Sequence, residues 1–269
     1  MKVLIILILS LLLGYQGNQE KSVTVYNVES ENGIELHGKN SNYFPVTIEL
    51  DMSLTNMTSS KGNPVVAVIE GRSEVKLTDL KVKKENKSWG MKNSYIFYQG
   101  SIFAKHDNRF AYKLPFKKGE THRLDQGYNG SFSHTGDSRF ALDFNMEVGT
   151  EVYAARQGLV VEVEEGFSKG GEDRSLMDKA NHITILHEDG TFAQYSHLRK
   201  SGVLVRIGQK VRAGDIIGFS GATGFVTGPH LHFSVLKAKK GGGFVTIPIK
   251  FTTKDGIQSL EEGKEYIGY

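Results

Sequence analysis

Histidine is the residue type whose spacing in this sequence first suggests chemistry. The chain has nine histidines, and the tightest pair is His230 and His232, separated by one leucine. Side chains at positions i and i+2 of a β-strand point to the same side, so a strand here would project both imidazoles into one space. Gly228 and Pro229 directly precede the pair and favour a turn that aims it. The same spacing also occurs on solvent-facing strands, so a metal site requires further ligands.

Two residues upstream are candidates for those further ligands. His134 lies in a polar stretch, whereas Asp143 lies between two apolar residues. A carboxylate in apolar surroundings needs a compensating partner, because an unpaired buried charge is costly. A metal ion would compensate it, and so would an arginine such as Arg139 or Arg156. The chain contains no cysteine, so any zinc site must be built from histidines and carboxylates.

Composition limits the remaining classes of function. The chain has 269 residues, with 33 Lys and Arg against 30 Asp and Glu, which gives a formal net charge of +3. Nucleic-acid binders usually show a concentrated basic surface. A net charge of +3 over 269 residues does not favour such a surface, so we expect no nucleic-acid partner. The absence of cysteine excludes disulfide scaffolds, thiolate catalysis and iron–sulfur clusters.

The first 19 residues are predicted to be a secretory signal peptide. Lys2 is followed by a short apolar run over residues 3–13, and the chain then turns polar after Gly17. A membrane-spanning helix needs about 20 apolar residues, so this run is too short to span a bilayer, and no other segment qualifies. We therefore expect an exported protein in the periplasm, the cell envelope or the extracellular space, without a transmembrane span after signal removal.

The rest of the chain is predicted to be all-β in two domains. Short runs rich in Val, Ile, Thr and aromatic residues alternate with clusters of Asn, Gly, Ser and Lys. Residues 20–118 are predicted to form a β-sandwich-like domain, and residues 114–119 a hinge. Residues 119–269 are predicted to form a second, β-rich catalytic domain. Predicted strands are 22–26, 46–54, 65–69, 75–82 and 95–103, then 150–163, 182–186, 192–198, 216–220, 232–236 and 244–251.

Several short blocks follow one another in order between Gln126 and Phe251. They are Ser133-His134, 141–144, 149–158, 181–187, 189–191, 195–198, 221–224 and 228–233, with spaced Val and Gly residues over 205–218. Their number and order resemble the lysostaphin-type, or LytM-type, zinc endopeptidases of bacterial cell walls. The resemblance covers nearly half the chain and implies the β-rich fold of that family, the duplicated hybrid motif.

The resemblance also implies roles for five residues. His134, Asp143 and His232 correspond to the zinc ligands, for one Zn²⁺ per chain. His197 and His230 correspond to the two histidines that face the attacking water and the substrate. Zinc in such a site makes a water reactive near neutral pH. The two histidines can then move its proton and donate to the developing oxyanion.

One feature departs from the family pattern. The family commonly places its first histidine ligand four residues before the aspartate, whereas His134 and Asp143 are nine residues apart. His122 is the nearby substitute for the first ligand. Asp137 is a rival acid, although it lacks the strand-like surroundings of Asp143. His187 also matches the family and is expected to serve structure.

The predicted function is therefore an exported zinc metalloendopeptidase. Its expected substrates are peptide bonds in peptidoglycan cross-links or stem peptides, hydrolysed by a zinc-activated water. Two alternatives remain open: a zinc-binding but non-catalytic activator of other wall hydrolases, and a secreted protease acting on proteins outside the wall. The polar segment 166–180 is expected either to border the substrate groove or to be a surface insertion. The role of the first domain is left open between support, wall binding and inhibition.

Overall fold

Regular structure in this protein is almost entirely β. A computed structural model describes residues 22–30 and 33–269, so the predicted signal peptide lies outside the described residues. Apart from two short 3-10 turns, Gly136–Ser138 and Arg174–Leu176, every element of that part of the chain is a strand. No helix within it is long and apolar enough to cross a bilayer. The all-β prediction is confirmed.

The chain divides into two compact units, one ending at Ser101 and the other running from Ile102 to Tyr269. The strands of the first unit are β1 (Val23–Ser30), β2 (Gly33–Asn40), β3 (Val46–Thr55), β4 (Met57–Ser59), β5 (Val65–Ile69), β6 (Ser73–Val82) and β7 (Gly90–Gln99). They form two antiparallel sheets, β1-β2-β6-β4 and β5-β3-β7. Leu36 and Leu77 from one sheet share a core with Ile48 and Leu50 from the other.

Strand β2 was not among the predicted strands, and a glycine explains why. Ile34 and Leu36 alternate inward as a strand requires, but the next inward position is Gly38. A Cβ atom at Gly38 would lie 2.6 Å from Cδ1 of Ile69, so the core is filled from the opposite sheet and leaves no room for a side chain. The hydrophobic alternation therefore breaks in the sequence, although the backbone remains a strand.

The segment predicted as a hinge contributes to the second core. The contact division falls after Ser101, whereas the sequence suggests a boundary between residues 118 and 119. Leu114 and Phe116 are buried among the hydrophobic residues of the second unit. Phe116 packs edge-on against Phe144 at 5.6 Å between ring centroids. Residues 102–118 therefore belong to the second unit. The basic pair Lys117-Lys118 directly follows the buried Phe116.

The second unit is organised around a nine-stranded sheet. Its order is β16-β12-β14-β15-β19-β10-β9-β23, and β20 pairs with β19. The strands of this unit are β8 (Ala111–Tyr112), β9 (Thr121–Gln126), β10 (Leu142–Asn145), β11 (Glu151–Tyr153), β12 (Gly158–Glu164), β13 (Gly170–Gly171), β14 (Asn181–Leu186), β15 (Phe192–Leu198), β16 (Lys210–Val211), β17 (Ile216–Phe219), β18 (Gly224–Phe225), β19 (His230–Ala238), β20 (Phe244–Thr246), β21 (Lys250–Thr253), β22 (Gly256–Gln258) and β23 (Glu265–Ile267).

Strand alternation separates this core from the polar face of the sheet. In β19 the side chains of Leu231 and Phe233 are fully buried, whereas those of His230 and His232 point to the other face. The register places His232 directly opposite Asp143 of β10. The pairing of β10 with β19 thus brings together residues that are far apart in the chain.

Phe233 tests the dependence of this unit on its aromatic core. Its ring centroid lies 5.0 Å from that of Tyr195 and 6.0 Å from that of Phe251. We expect Phe233→Ala to lower the free energy of unfolding by about 3–5 kcal/mol, because it removes buried apolar surface and leaves a cavity. Urea unfolding followed by circular dichroism measures the change. The exposed Ile257 is the control, and Ile257→Ala should shift stability by no more than about 0.5 kcal/mol. Equal effects of the two substitutions would contradict this placement of the core.

Candidate active site

Three of the predicted site residues form one tight cluster. One ligand atom each from His134, Asp143 and His232 lie within 4.8 Å of one another. Nδ1 of His232 lies 2.8 Å from Oδ1 of Asp143, and Nε2 of His134 lies 3.2 Å from Oδ2 of the same carboxylate. Two imidazole nitrogens and one carboxylate are a donor set that suits a catalytic zinc ion, which keeps a further position for water.

His134 offers the strongest sign that this cluster fits a metal ion. Its side chain is fully buried, and its Nδ1 donates a hydrogen bond to the carbonyl oxygen of Gly127 at 2.9 Å. That bond requires the proton on Nδ1 and leaves a lone pair on Nε2. Nε2 is buried and has no partner with hydrogen-bond geometry. A buried nitrogen with an unused lone pair, fixed by a bond at the other ring nitrogen, is what a zinc ligand requires.

Asp143 is held as a carboxylate by its surroundings. Burial favours its neutral form, but His232 and His134 outweigh that effect and hold the pKa of the Asp143 carboxyl well below its usual range. The two arginines that could have compensated it lie elsewhere. Arg156 pairs with Asp189 at 2.7 Å, and the guanidinium of Arg139 lies over the ring of Phe140. The charge of Asp143 is therefore available to the cluster.

The alternative ligands raised by the sequence point away from this cluster. Asp137 lies in the 3-10 turn between His134 and Asp143, and its carboxylate forms an ion pair with Lys239. Nδ1 of His122 lies 2.9 Å from the carbonyl oxygen of Asn145. Among the described residues, the group with metal-binding geometry contains neither His122 nor Asp137.

His197 and His230 face each other beside the cluster. Their ring centroids are 4.6 Å apart, and Nε2 of His230 lies 3.9 Å from Oδ1 of Asp143. Nδ1 of His197 donates to the carbonyl oxygen of Thr223 at 2.7 Å, and Nδ1 of His230 donates to that of Gly228 at 2.9 Å. A carbonyl oxygen only accepts, so each Nδ1 carries a proton and a neutral ring leaves its Nε2 as an acceptor.

A β-bulge positions His197. In the pairing of β14 with β15, Asn181 lies opposite Leu198 and His182 lies opposite Ser196, so His197 is the extra residue. Its backbone φ of 64° lies in the left-handed region, which is unusual for a residue with a side chain. Bulges of this kind turn a side chain out of the regular alternation. The strain is maintained because the surrounding strands hold the chain on both sides.

The hydroxyl of Thr223 fastens the bulge to the neighbouring loop. It donates to the carbonyl oxygen of Leu198 at 2.7 Å and accepts from the backbone N–H of Asn181 at 3.0 Å. The side chain of Asn181 also donates to Leu198 at 3.2 Å. Both residues lie in the sequence blocks quoted above, but their contacts around His197 could not be inferred from spacing.

Burial keeps His197 uncharged. Desolvation is the largest effect, and the nearby His232 and His230 add to it, so the pKa of His197 falls to about 3. At neutral pH the ring is therefore neutral, with its Nε2 available to take a proton. His134 behaves differently: burial opposes its charged form, but the negative charge of Asp143, whose Oδ2 lies 3.2 Å from Nε2, outweighs burial and raises its pKa.

The cluster opens into a cleft of about 640 Å³. Its lining includes His197, His230 and His232 together with three apolar side chains, Phe132, Phe225 and Met177. The rings of Phe132 and Phe225 stack with an interplanar angle of 4° and centroids 6.2 Å apart. We call these three side chains the apolar rim.

The segment 166–180 contributes to the border of this cleft. This agrees with the first of the two interpretations drawn from the sequence, a border of the groove, and not with a surface insertion. Met177 belongs to it, and β13 within it pairs in parallel with β18. Gly170 permits this pairing, because a Cβ atom there would lie 1.6 Å from the carbonyl oxygen of Ala222. His187, by contrast, is buried outside the cleft lining, and its Nδ1 bonds the carbonyl oxygen of Gln157 at 2.8 Å.

This unit places two histidines and one aspartate around a metal-sized space, with two further histidines beside it. That arrangement is typical of zinc metallopeptidases. Residues 138–243 match the family model of peptidase family M23. This match confirms the resemblance drawn from the sequence. The matched residues include Asp143, His197, His230 and His232, whereas His134 lies just before them.

Several endopeptidases are similar to part of this chain. Glycyl-glycine endopeptidase ALE-1 of Staphylococcus capitis is 36% identical over 125 residues, which are 46% of this chain and 32% of that protein. Peptidoglycan DD-endopeptidase ShyB of Vibrio cholerae is 30% identical over 172 residues, which are 62% of this chain and 36% of that protein. The catalytic domain of lysostaphin from Staphylococcus simulans shows 29% identity over 52% of this chain and 87% of that domain, with a TM-score of 0.32. The chain thus matches about a third of the length of the two endopeptidases.

The cluster predicts a specific pattern of metal binding. We expect the full chain to bind zinc, and we expect His134→Ala, Asp143→Ala and His232→Ala each to abolish tight binding, because each removes one of three ligands. Competition with a chromophoric chelator measures the affinity. His122→Ala is the matched control and should bind zinc like the parent chain. Loss of zinc from His122→Ala together with retention by His134→Ala would reverse the assignment of the first ligand.

Proposed function

We propose that the second unit is an exported zinc endopeptidase that cleaves peptides of peptidoglycan. The observation that carries this proposal is the convergence of His134, Asp143 and His232 beside His197 and His230, which line one open cleft. The M23 match and the endopeptidase relatives support the reaction class. Export is supported by the signal-like sequence of residues 1–19 and by the wall substrate named for a relative.

One zinc ion per chain would be held by Nε2 of His134, a carboxylate oxygen of Asp143 and Nδ1 of His232. These atoms face one another, and the first is buried without a hydrogen-bond partner. A bound zinc ion supplies Lewis acidity, which polarises a carbonyl and lowers the pKa of water. The protein must supply what remains: ligand orientation, proton transfer and a place for the peptide.

His197 and His230 are the groups that move protons. Each presents Nε2 as an acceptor, because its Nδ1 proton is committed to a backbone carbonyl. Burial keeps His197 neutral, so it does not begin the reaction already protonated. A proton accepted at Nε2 turns that histidine into a donor, which can stabilise an oxyanion or protonate the leaving amine. A pair of such rings 4.6 Å apart can serve both needs in one turnover.

The cleft suits an extended peptide. It is open to solvent and lined by both polar groups and the apolar rim. Relatives carry the names glycyl-glycine endopeptidase and peptidoglycan DD-endopeptidase. Cross-links and stem peptides of the wall are therefore the substrate class that we propose.

A single substitution separates proton transfer from metal binding. We expect His197→Ala to retain zinc but to lose about 10²–10⁴-fold in kcat, because it removes a general acid–base group and no ligand. Zinc content and turnover of a defined wall peptide are measured on the same preparation. His232→Ala, in comparison, should lose both zinc and activity. Release of zinc by His197→Ala as readily as by His232→Ala would show that the roles are assigned wrongly.

Digestion of purified peptidoglycan tests the proposed substrate. We expect the zinc-loaded chain to release muropeptide fragments whose new amino and carboxyl ends identify the cleaved peptide bond by mass spectrometry. A chelator should abolish the release, and added zinc should restore it. Zinc binding without cleavage of peptidoglycan or of any wall peptide would favour the non-catalytic activator. Cleavage of unrelated proteins with intact peptidoglycan left untouched would favour a protease acting outside the wall.

A further inference from the structure

Gln126 lies behind the metal cluster and contacts two parts of it at once. We propose that Gln126 is a positioning residue that sets the relative placement of His134 and Asp143. This inference rests on the zinc site proposed above. It concerns a side chain that is not one of the three ligands or the two proton-transfer histidines.

The donor end of Gln126 orients the carboxylate. Nε2 donates to Oδ2 of Asp143 at 3.0 Å and to Oγ of Ser133 at 2.7 Å. Gln126 lies directly opposite Asp143 in the pairing of β9 with β10, so the two side chains are cross-strand neighbours. Occupation of Oδ2 from this side limits rotation of the carboxylate, while Oδ1 faces His232 at 2.8 Å.

The acceptor end of Gln126 holds the loop that carries His134. Its Oε1 accepts the backbone N–H groups of Phe132 at 3.2 Å and Ser133 at 3.3 Å. Two backbone donors facing one atom require that atom to be the oxygen, so the orientation of the amide is determined by its partners. The two N–H donors of the Gln126 amide and both acceptor positions of its oxygen are therefore used. Their partners lie on β10, through Asp143, and on the loop at residues 132–133.

A tether of this kind is required because His134 does not lie on a strand. It lies nine positions before Asp143, and residues 135–141 form a loop with one 3-10 turn before β10 begins at Leu142. The strand pairing that places Asp143 against His232 therefore does not by itself place His134. Thr246 and Lys239 hold the part of this loop around Asp137, and His134 Nδ1 bonds Gly127 within the loop. The bonds from Gln126 connect the loop to the carboxylate that His134 must meet.

Gly130 leaves the space that Gln126 occupies. A Cβ atom at residue 130 would lie 2.3 Å from Cγ and 2.9 Å from Cδ of Gln126. Cγ is close to the backbone and cannot swing away without moving the whole side chain. Gly130→Ala should therefore displace Gln126 while leaving its amide group in the protein, which provides a second and independent way to disturb the same contacts.

The test uses the full chain with Gln126→Met, which keeps the approximate shape of the side chain and removes its hydrogen bonds, and with Gly130→Ala. Zinc affinity is measured by chelator competition, and the visible absorption of the cobalt-substituted protein reports ligand geometry. We expect both variants to bind zinc about 10–100-fold more weakly, as is typical when a residue that orients a ligand is lost. We also expect their cobalt bands to shift in position or intensity.

Gln258→Met is the matched control. Gln258 donates a side-chain hydrogen bond of 2.7 Å to Thr253 in the same unit, so its loss is a comparable change elsewhere. This control should leave zinc affinity and the cobalt spectrum unchanged, which separates a local effect from general destabilisation. If Gln126→Met fails to fold, Gly130→Ala carries the same comparison.

The outcomes distinguish this inference from the function on which it rests. Folded Gln126→Met or Gly130→Ala protein with the parent's zinc affinity and cobalt spectrum would overturn the positioning role alone. A parent chain that binds no zinc would overturn the proposed function and this inference with it. Weaker binding and altered cobalt bands in the variants, with an unchanged control, would support the role of Gln126.

Discussion

The buried carboxylate of Asp143 is the constraint on which the rest of the site depends. An ionised carboxylate away from water is tolerated only when hydrogen bonds and opposite charge replace its hydration. Here His232 at 2.8 Å and Gln126 at 3.0 Å supply hydrogen bonds to the carboxylate, and Nε2 of His134 lies 3.2 Å from it. They come from a neighbouring strand on each side and from a loop. The order β19-β10-β9 and its register are therefore what allow a charge to exist at the base of the cleft.

Regular sheet structure provides this placement, and local irregularity completes it. Alternation along β19 puts two histidines on the face opposite Leu231 and Phe233, without any special backbone geometry. His197 needs a different solution, because the residues on either side of it in β15 are buried. One extra residue in the strand, with φ of 64°, turns its ring toward His230. The fully paired neighbouring strands stabilise a backbone conformation that would be unfavourable in isolation.

Sequence reasoning succeeded where a periodic pattern carries the information. The histidine pair on one strand face, the isolated Asp143 between apolar residues and the all-β architecture each follow from local spacing. The bulge at His197 was not predicted, because β15 is buried at consecutive positions and shows no strict alternation that an extra residue would interrupt. Strand β2 was missed because Gly38 occupies a core position without a side chain. Gln126 was missed because its significance lies in contacts with residues 6, 7 and 17 positions away, which only the folded loop brings together.

Burial beside one cleft has opposite outcomes for the charges of Asp143 and His197. Burial alone would raise the pKa of a carboxyl and lower that of a histidine, so both would become neutral. Asp143 remains charged because its interactions with the rings of His232 and His134 outweigh burial and keep its pKa low. The Nδ1 of His197 bonds a backbone carbonyl instead of a carboxylate, so burial prevails and its pKa falls to about 3. The same environment thus yields a carboxylate that stays ionised and a histidine that stays neutral. The difference follows from the partner that the strand register and the bulge give to each side chain: histidine rings for Asp143, and a backbone carbonyl oxygen for His197.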